Sequence, residues 1–151
     1  RFHLIKTWLP NYNYQNYLNE IGEIVEKDAH VLANLNADYY FNNGSLFDYR
    51  NLAFLKENKL SFADYIKMNE IEYIIYPEEM DFIYNSRPRW NILYGNLYPY
   101  YSQMKQFIKE KTTLLKEFNN STYGMRIVSK IEKKDWKIKI YQINSSFTEN
   151  Y

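Results

Sequence analysis

The stretch Ile71-Glu72-Tyr73-Ile74-Ile75-Tyr76-Pro77-Glu78-Glu79 decides the fold. Residues Ile71 to Tyr76 are mostly β-branched or aromatic, the composition of a strand, and Pro77 ends it because proline has no N–H for a ladder. Pro77-Glu78-Glu79 then predicts a helix start, since proline suits the first helical position and acids suit the positive end of a helix dipole. A strand that runs straight into a helix is half of a βαβ unit, so the deciding question is whether the two alternate along the chain.

Upstream they do. Tyr14, Tyr17, Leu18, Ile21, Ile24 and Val25 fall on one face at a period of 3.6, with Asn19, Glu20, Glu23 and Glu26 off it and Asn13 as N-cap. That predicts a helix over 14–25. His30 to Leu35 is a short apolar run bounded by polar residues, which suits a buried strand. Residues 36–58 carry the turn signal Asn42-Asn43-Gly44-Ser45 and scattered aromatics, and read as a structured loop with one helical turn. Ser61-Phe62-Ala63-Asp64 is a capping-box pattern with Phe62, Tyr65 and Ile66 on a shared face, so a short helix precedes the central strand.

Downstream, residues 85–101 hold Pro88, Gly95 and Pro99 and read as a long surface loop. Met104, Phe107, Ile108 and Lys111 return to helical spacing, and Leu114 to Phe118 is read as a strand. Met125 to Ile131 and Trp136 to Tyr141 both alternate with period 2 around Glu132-Lys133-Lys134-Asp135, the pattern of a β-hairpin. The expectation is an α/β fold: a three-layer mixed sheet with parallel strands near residues 30, 72 and 115, helical crossovers, and a C-terminal antiparallel hairpin at the edge. Residues 1–12 form a lead-in, 13–144 one domain and 145–151 a polar tail.

Composition limits the chemistry. A chain of 151 residues supports one core, and a net charge of +1 gives no field for nucleic acid. Of the lysines between 130 and 139, Lys137 and Lys139 lie opposite Trp136 and Ile138 by alternation, so a solvated sheet face is the reading. With no cysteine, thiolate catalysis and cysteine-held metals are excluded. Two histidines and no Gly-x-Ser-x-Gly elbow argue against a hydrolase triad, and no glycine-rich turn supports a nucleotide cofactor. The acids Glu78, Glu79 and Asp81 read as dipole partners of the helix they open. Tyr 17 and Phe 9 are high, but tyrosine, like the abundant Asn, Ile and Lys, is favoured by AT-rich codons. The chain starts at Arg1 without an initiator Met, so it reads as part of something longer.

Two polar islands stand among the aromatics. Arg87-Pro88-Arg89-Trp90-Asn91 leads to Tyr94, offering forked anion donors beside flat rings, and Asp48 with Arg50 forms the second. Either Trp90 caps the core while Arg87 and Arg89 sit in solvent, or Asp48, Arg50, Arg87, Arg89, Trp90 and Tyr94 contact a ligand.

His30 to Asn36, Asp48-Tyr49-Arg50-Asn51-Leu52, Tyr73-Ile74-Ile75, Arg89 to Asn96, Tyr123 to Ile127 and Ile138 to Tyr141 together resemble the soluble C-terminal region of bacterial multi-spanning glycosyltransferases. The similarity is to the dolichyl-phosphate-mannose protein mannosyltransferase group, and spans residues 13–143. It implies an accessory domain on the extracytoplasmic face of the bacterial cell membrane, attached to an upstream transmembrane part of the same chain. That part uses a polyprenyl-phosphate sugar donor and carries the catalytic acids, none of which matches a position here. The resemblance therefore implies no catalytic residue, metal or cofactor in this chain, and a glycan or protein acceptor as its partner. Two readings compete with it: a free-standing carbohydrate- or peptide-binding module, and a small soluble enzyme, which the missing motifs disfavour.

Overall fold

A computed structural model describes residues 18–34, 40–42, 44–55, 57–94, 97–120 and 136–149. The chain is α/β, built on a five-stranded mixed sheet. In chain order its strands are β1 (Val31–Ala33), β2 (Leu46–Asp48), β3 (Tyr73–Pro77), β4 (Thr112–Asn120) and β5 (Trp136–Ile143), arranged β2-β1-β3-β5-β4. β1 pairs in parallel with β2 and with β3, while β5 runs antiparallel to β3 on one side and to β4 on the other.

The helices are α1 (residues 18–22) before the first strand, α2 (Phe62–Met68), α3 (Glu79–Ser86) and α4 (Tyr98–Lys111) between strands, and α5 (Ser145–Glu149) after the last. Two 3-10 helices, Tyr49–Phe54 and Pro88–Tyr94, follow β2 and α3. All three residues of β1 are buried, as suits a strand flanked on both sides by parallel neighbours.

The stripe expected for the first helix is in place, with Leu18, Ile21 and Val25 buried, although the described helix ends at residue 22; Asn13, Tyr14 and Tyr17 lie outside the described residues. Gly22 closes it under the ring of Tyr40, whose Cε1 would lie 3.0 Å from an added Cβ. The capping box is complete. Ser61 Oγ accepts from the Asp64 amide and Asp64 Oδ2 from the Ser61 amide, each at 3.1 Å.

The far end of α2 is a Schellman turn made without glycine. The Ile71 amide donates to the Ile66 carbonyl at 2.9 Å, the Glu70 amide to that of Lys67 at 3.1 Å, and Glu70 takes φ 52°.

Four expectations change. Within 36–58 lies a strand, β2, too short at three residues to show a period. Residues 85–101 are not a surface loop. Pro88 opens a 3-10 helix and Pro99 sits in the first turn of α4, positions where a missing N–H costs nothing, and Tyr94, Leu97 and Tyr100 are fully buried. Pro77 ends β3 rather than opening α3, whose N-cap is Glu78.

The fourth change concerns the hairpin. Met125 to Ile131, its expected first arm, lies outside the described residues, and the partner of β5 is β4, in register from Thr112↔Ile143 to Asn120↔Trp136 with a bulge between Leu114 and Lys116. β4 shares the direction of β1 and β3, as expected for the strand near 115, but β5 enters between it and β3, so β4 forms the edge. Burial of Ile138 and Ile140 on one face favours this placement, while Lys139 on the other face pairs with Glu78 at 3.3 Å.

The polar tail begins as α5, whose Phe147 ring meets Phe107 edge-on at 5.0 Å. No helix among the described residues is long and apolar enough to cross a membrane.

Candidate functional site

In a parallel sheet the chain leaves neighbouring strands in opposite directions at one place, and their carboxyl ends open a crevice there. Here that place lies between β1 and β3, because the chain goes from β1 outward to β2 and then back across to β3. Asn34 follows β1, Asp48 ends β2, and Glu78 and Glu79 follow β3, so four polar side chains arrive at the same end of the sheet.

The crevice is filled by protein. Glu79 is fully buried, and its carboxylate accepts a hydrogen bond from the Tyr94 phenol, which itself accepts from Asn34 Nδ2 at 3.3 Å. Tyr94 enters from the last residue of the second 3-10 helix. Its ring meets Tyr49 edge-on at 5.7 Å, and its carbonyl accepts from the Tyr100 phenol at 2.7 Å. Burial first, and the nearby Asp48 charge second, push the Tyr100 phenol up, so it stays a donor at neutral pH.

Asp48 works at the edge of this network. Its Oδ1 accepts the Arg50 amide at 2.8 Å, which caps the first 3-10 helix, and its Oδ2 takes the Arg50 guanidinium at 3.0 Å. The Asp48 side chain is 10% exposed and that of Arg50 50%. The hydrogen bond and charge of Asp48 hold Arg50 more firmly protonated.

At the other end of the second 3-10 helix, the Arg87 guanidinium lies 5.1 Å from the Trp90 ring centre. Arg87 and Arg89 are exposed, and Trp90 is half-buried against the core. The six candidate residues thus divide into a closed part, Asp48 with Tyr94, and an open rim, Arg87 with Trp90 and Arg89; Arg50 bridges from the first to solvent. Trp90 packs against the core and keeps part of its side chain accessible.

The acids at the start of α3 do more than complement its dipole. Glu78 pairs with Lys139, Glu79 enters the core, and Asp81 accepts from the phenols of Tyr76 and Tyr101. Their place directly after the strongest strand was the available signal, because that is the end of a parallel sheet where side chains converge. Among the described residues, no group of three or more acidic or histidine side chains is placed to hold a metal ion.

No known family, curated protein or solved structure matches the chain.

Proposed function

We propose that this chain is an extracytoplasmic accessory domain of a bacterial membrane-embedded glycosyltransferase. In this reading it contacts the glycan or protein acceptor, while the upstream transmembrane part of the same protein moves a sugar from a polyprenyl-phosphate donor. The resemblance supplies the enzyme class. Among the described residues its segments fall on β1, the β2 end with its 3-10 helix, β3, the second 3-10 helix and β5, while Tyr123 to Ile127 lies outside them.

One observation carries the contact role: the exposed Arg87 guanidinium stacked 5.1 Å from a half-buried Trp90. A stacked guanidinium is already ordered, so it holds an anion or hydroxyl pair at less entropic cost than a free side chain, and the indole adds a flat apolar surface. The carboxylates at the sheet's carboxyl end point the same way, since Asp48 and Glu79 are engaged in capping and in the core.

The test is sugar transfer by the full-length protein in membranes. Arg87→Ala with Trp90→Ala raises the acceptor KM and leaves kcat unchanged if the rim only holds the acceptor. Unaltered KM and kcat would remove these residues from the acceptor contact.

A further inference from the structure

Helix α4 turns into strand β4 without a loop, Lys111 ending the one and Thr112 opening the other. Side chains lock this corner. Thr112 Oγ1 donates to the Ile108 carbonyl at 2.6 Å, the Asn144 amide to the Lys111 carbonyl at 2.9 Å, and Thr113 Oγ1 to Asn144 Oδ1 at 2.8 Å. Carbonyls at the end of α4 are therefore capped from outside the helix, and its last lysines are not needed for that task.

What the corner presents is apolar and basic together. Leu114 is 48% exposed and Leu115 39%, where β4 bulges at the edge of the sheet. Leu114 shares the lining of an open groove of about 660 Å³ with Lys105 and Lys109 of α4, and among the described residues no carboxylate belongs to that lining. Lys105 is paired with Asp81 at 3.2 Å, whereas the exposed Lys109 and Lys111 have no ion pair among the described residues. The acids closest in sequence are taken, since Glu110 accepts from Gln106 Nε2 and Glu117 faces Lys137 and Lys139 at 3.8 and 3.9 Å.

We infer that this corner docks on an anionic lipid surface, Leu114 and Leu115 entering the boundary of the acyl chains while Lys109 and Lys111 meet headgroup phosphates. Charge complementarity selects the occupant. A second copy of the chain, related by a two-fold axis, would set these lysines against themselves, and an apolar protein partner would leave them desolvated and unpaired. A headgroup layer offers phosphates directly beside hydrocarbon, which is the pairing the corner needs. The corner lies where β3 and β4 both begin, Tyr73 and Thr112 standing opposite Gln142 and Ile143 of β5, so the crevice at the carboxyl end of the sheet stays clear of the surface. The contact involves neither an acceptor nor sugar transfer, and it is tested apart from the role proposed for Arg87 and Trp90.

The experiment co-sediments the chain with vesicles of phosphatidylcholine alone and of phosphatidylcholine mixed with phosphatidylglycerol. The expected result is binding to the mixed vesicles that falls as salt is added. Lys109→Gln with Lys111→Gln weakens it by roughly fivefold per lysine. Leu114→Thr with Leu115→Thr weakens it about tenfold or more through lost apolar contact. Glutamine keeps helix propensity and threonine strand propensity at these exposed positions, so the thermal midpoint stays unchanged and lost binding is not lost folding. Equal retention by the two kinds of vesicle, wild-type binding by either double variant, or no binding to the mixed vesicles would overturn the inference. In the last case, self-association abolished by the leucine pair would give the corner to a second copy of the chain instead.

Discussion

The Tyr49 phenol donates to the Ile75 carbonyl at 2.7 Å and so completes β3 where its parallel neighbour runs out. β1 has three residues against five in β3, and their pairing ends at Leu32↔Ile74. The Ile75 carbonyl therefore faces a gap in the ladder, and a side chain from the neighbouring 3-10 helix fills it. Tyr49→Phe leaves this buried carbonyl without its donor and lowers unfolding free energy by about 1–3 kcal/mol in urea titrations. A loss below the scatter of such titrations would mean that the bond is not formed in solution.

Glu79 and Tyr94 are predicted to be energetically coupled. Tyr94→Phe costs about 1–3 kcal/mol because it removes a donor from a buried carboxylate. In a double-mutant cycle with Glu79→Gln the coupling energy comes out at about 0.5–3 kcal/mol, whereas additive effects would show that the pair does not act as one unit.

Glu70 is a site of stored backbone strain. Its φ of 52° in the Schellman turn is a conformation that glycine reaches without the Cβ clash. Glu70→Gly raises the stability of the chain by about 0.5–1 kcal/mol, read as a higher denaturation midpoint. A lower midpoint would show that the Glu70 side chain contributes more than the strain it brings.

Alkaline pH unfolds the protein cooperatively. Burial, reinforced by Asp81, raises the phenols of Tyr76 and Tyr101 above their ordinary value of 10.0, and burial with Asp48 does the same for Tyr100. A group whose folded pKa exceeds its unfolded one contributes its full stability below the unfolded value and loses it as pH rises. Stability is therefore independent of these groups near neutrality and falls as pH climbs beyond about 10. Tyrosinate absorbance and circular dichroism, followed together, should change in one step for this buried set. Full tyrosine ionisation with the dichroism intact would contradict the packing described.

Much of this architecture was legible because local signals were unambiguous. The run of Val31-Leu32-Ala33, the Ser61 and Asp64 capping box, and the alternation of Trp136 to Tyr141 each have one physical meaning, and together they require strands and helices in turn. Three-residue β2 was not legible, since its ends are set by pairing with β1 and not by its own pattern. The prolines at 88 and 99 were misread because loop and helix N-terminus favour the same residue.

At the site, Asp48, Arg50 and the Arg87 and Trp90 stack were within reach of sequence reasoning because close spacing brings them together. Glu79 and Tyr94, and likewise Asp81 with Tyr101 and Lys105, depend on packing of α3 against distant segments, which no local pattern encodes.

The reading frame upstream of Arg1 is the most direct test of the proposed function. The account predicts several apolar segments of about 20 residues there, with acidic residues in an external loop between the first of them. A start codon within a few residues of Arg1 would contradict it and leave the chain as a free-standing binding module.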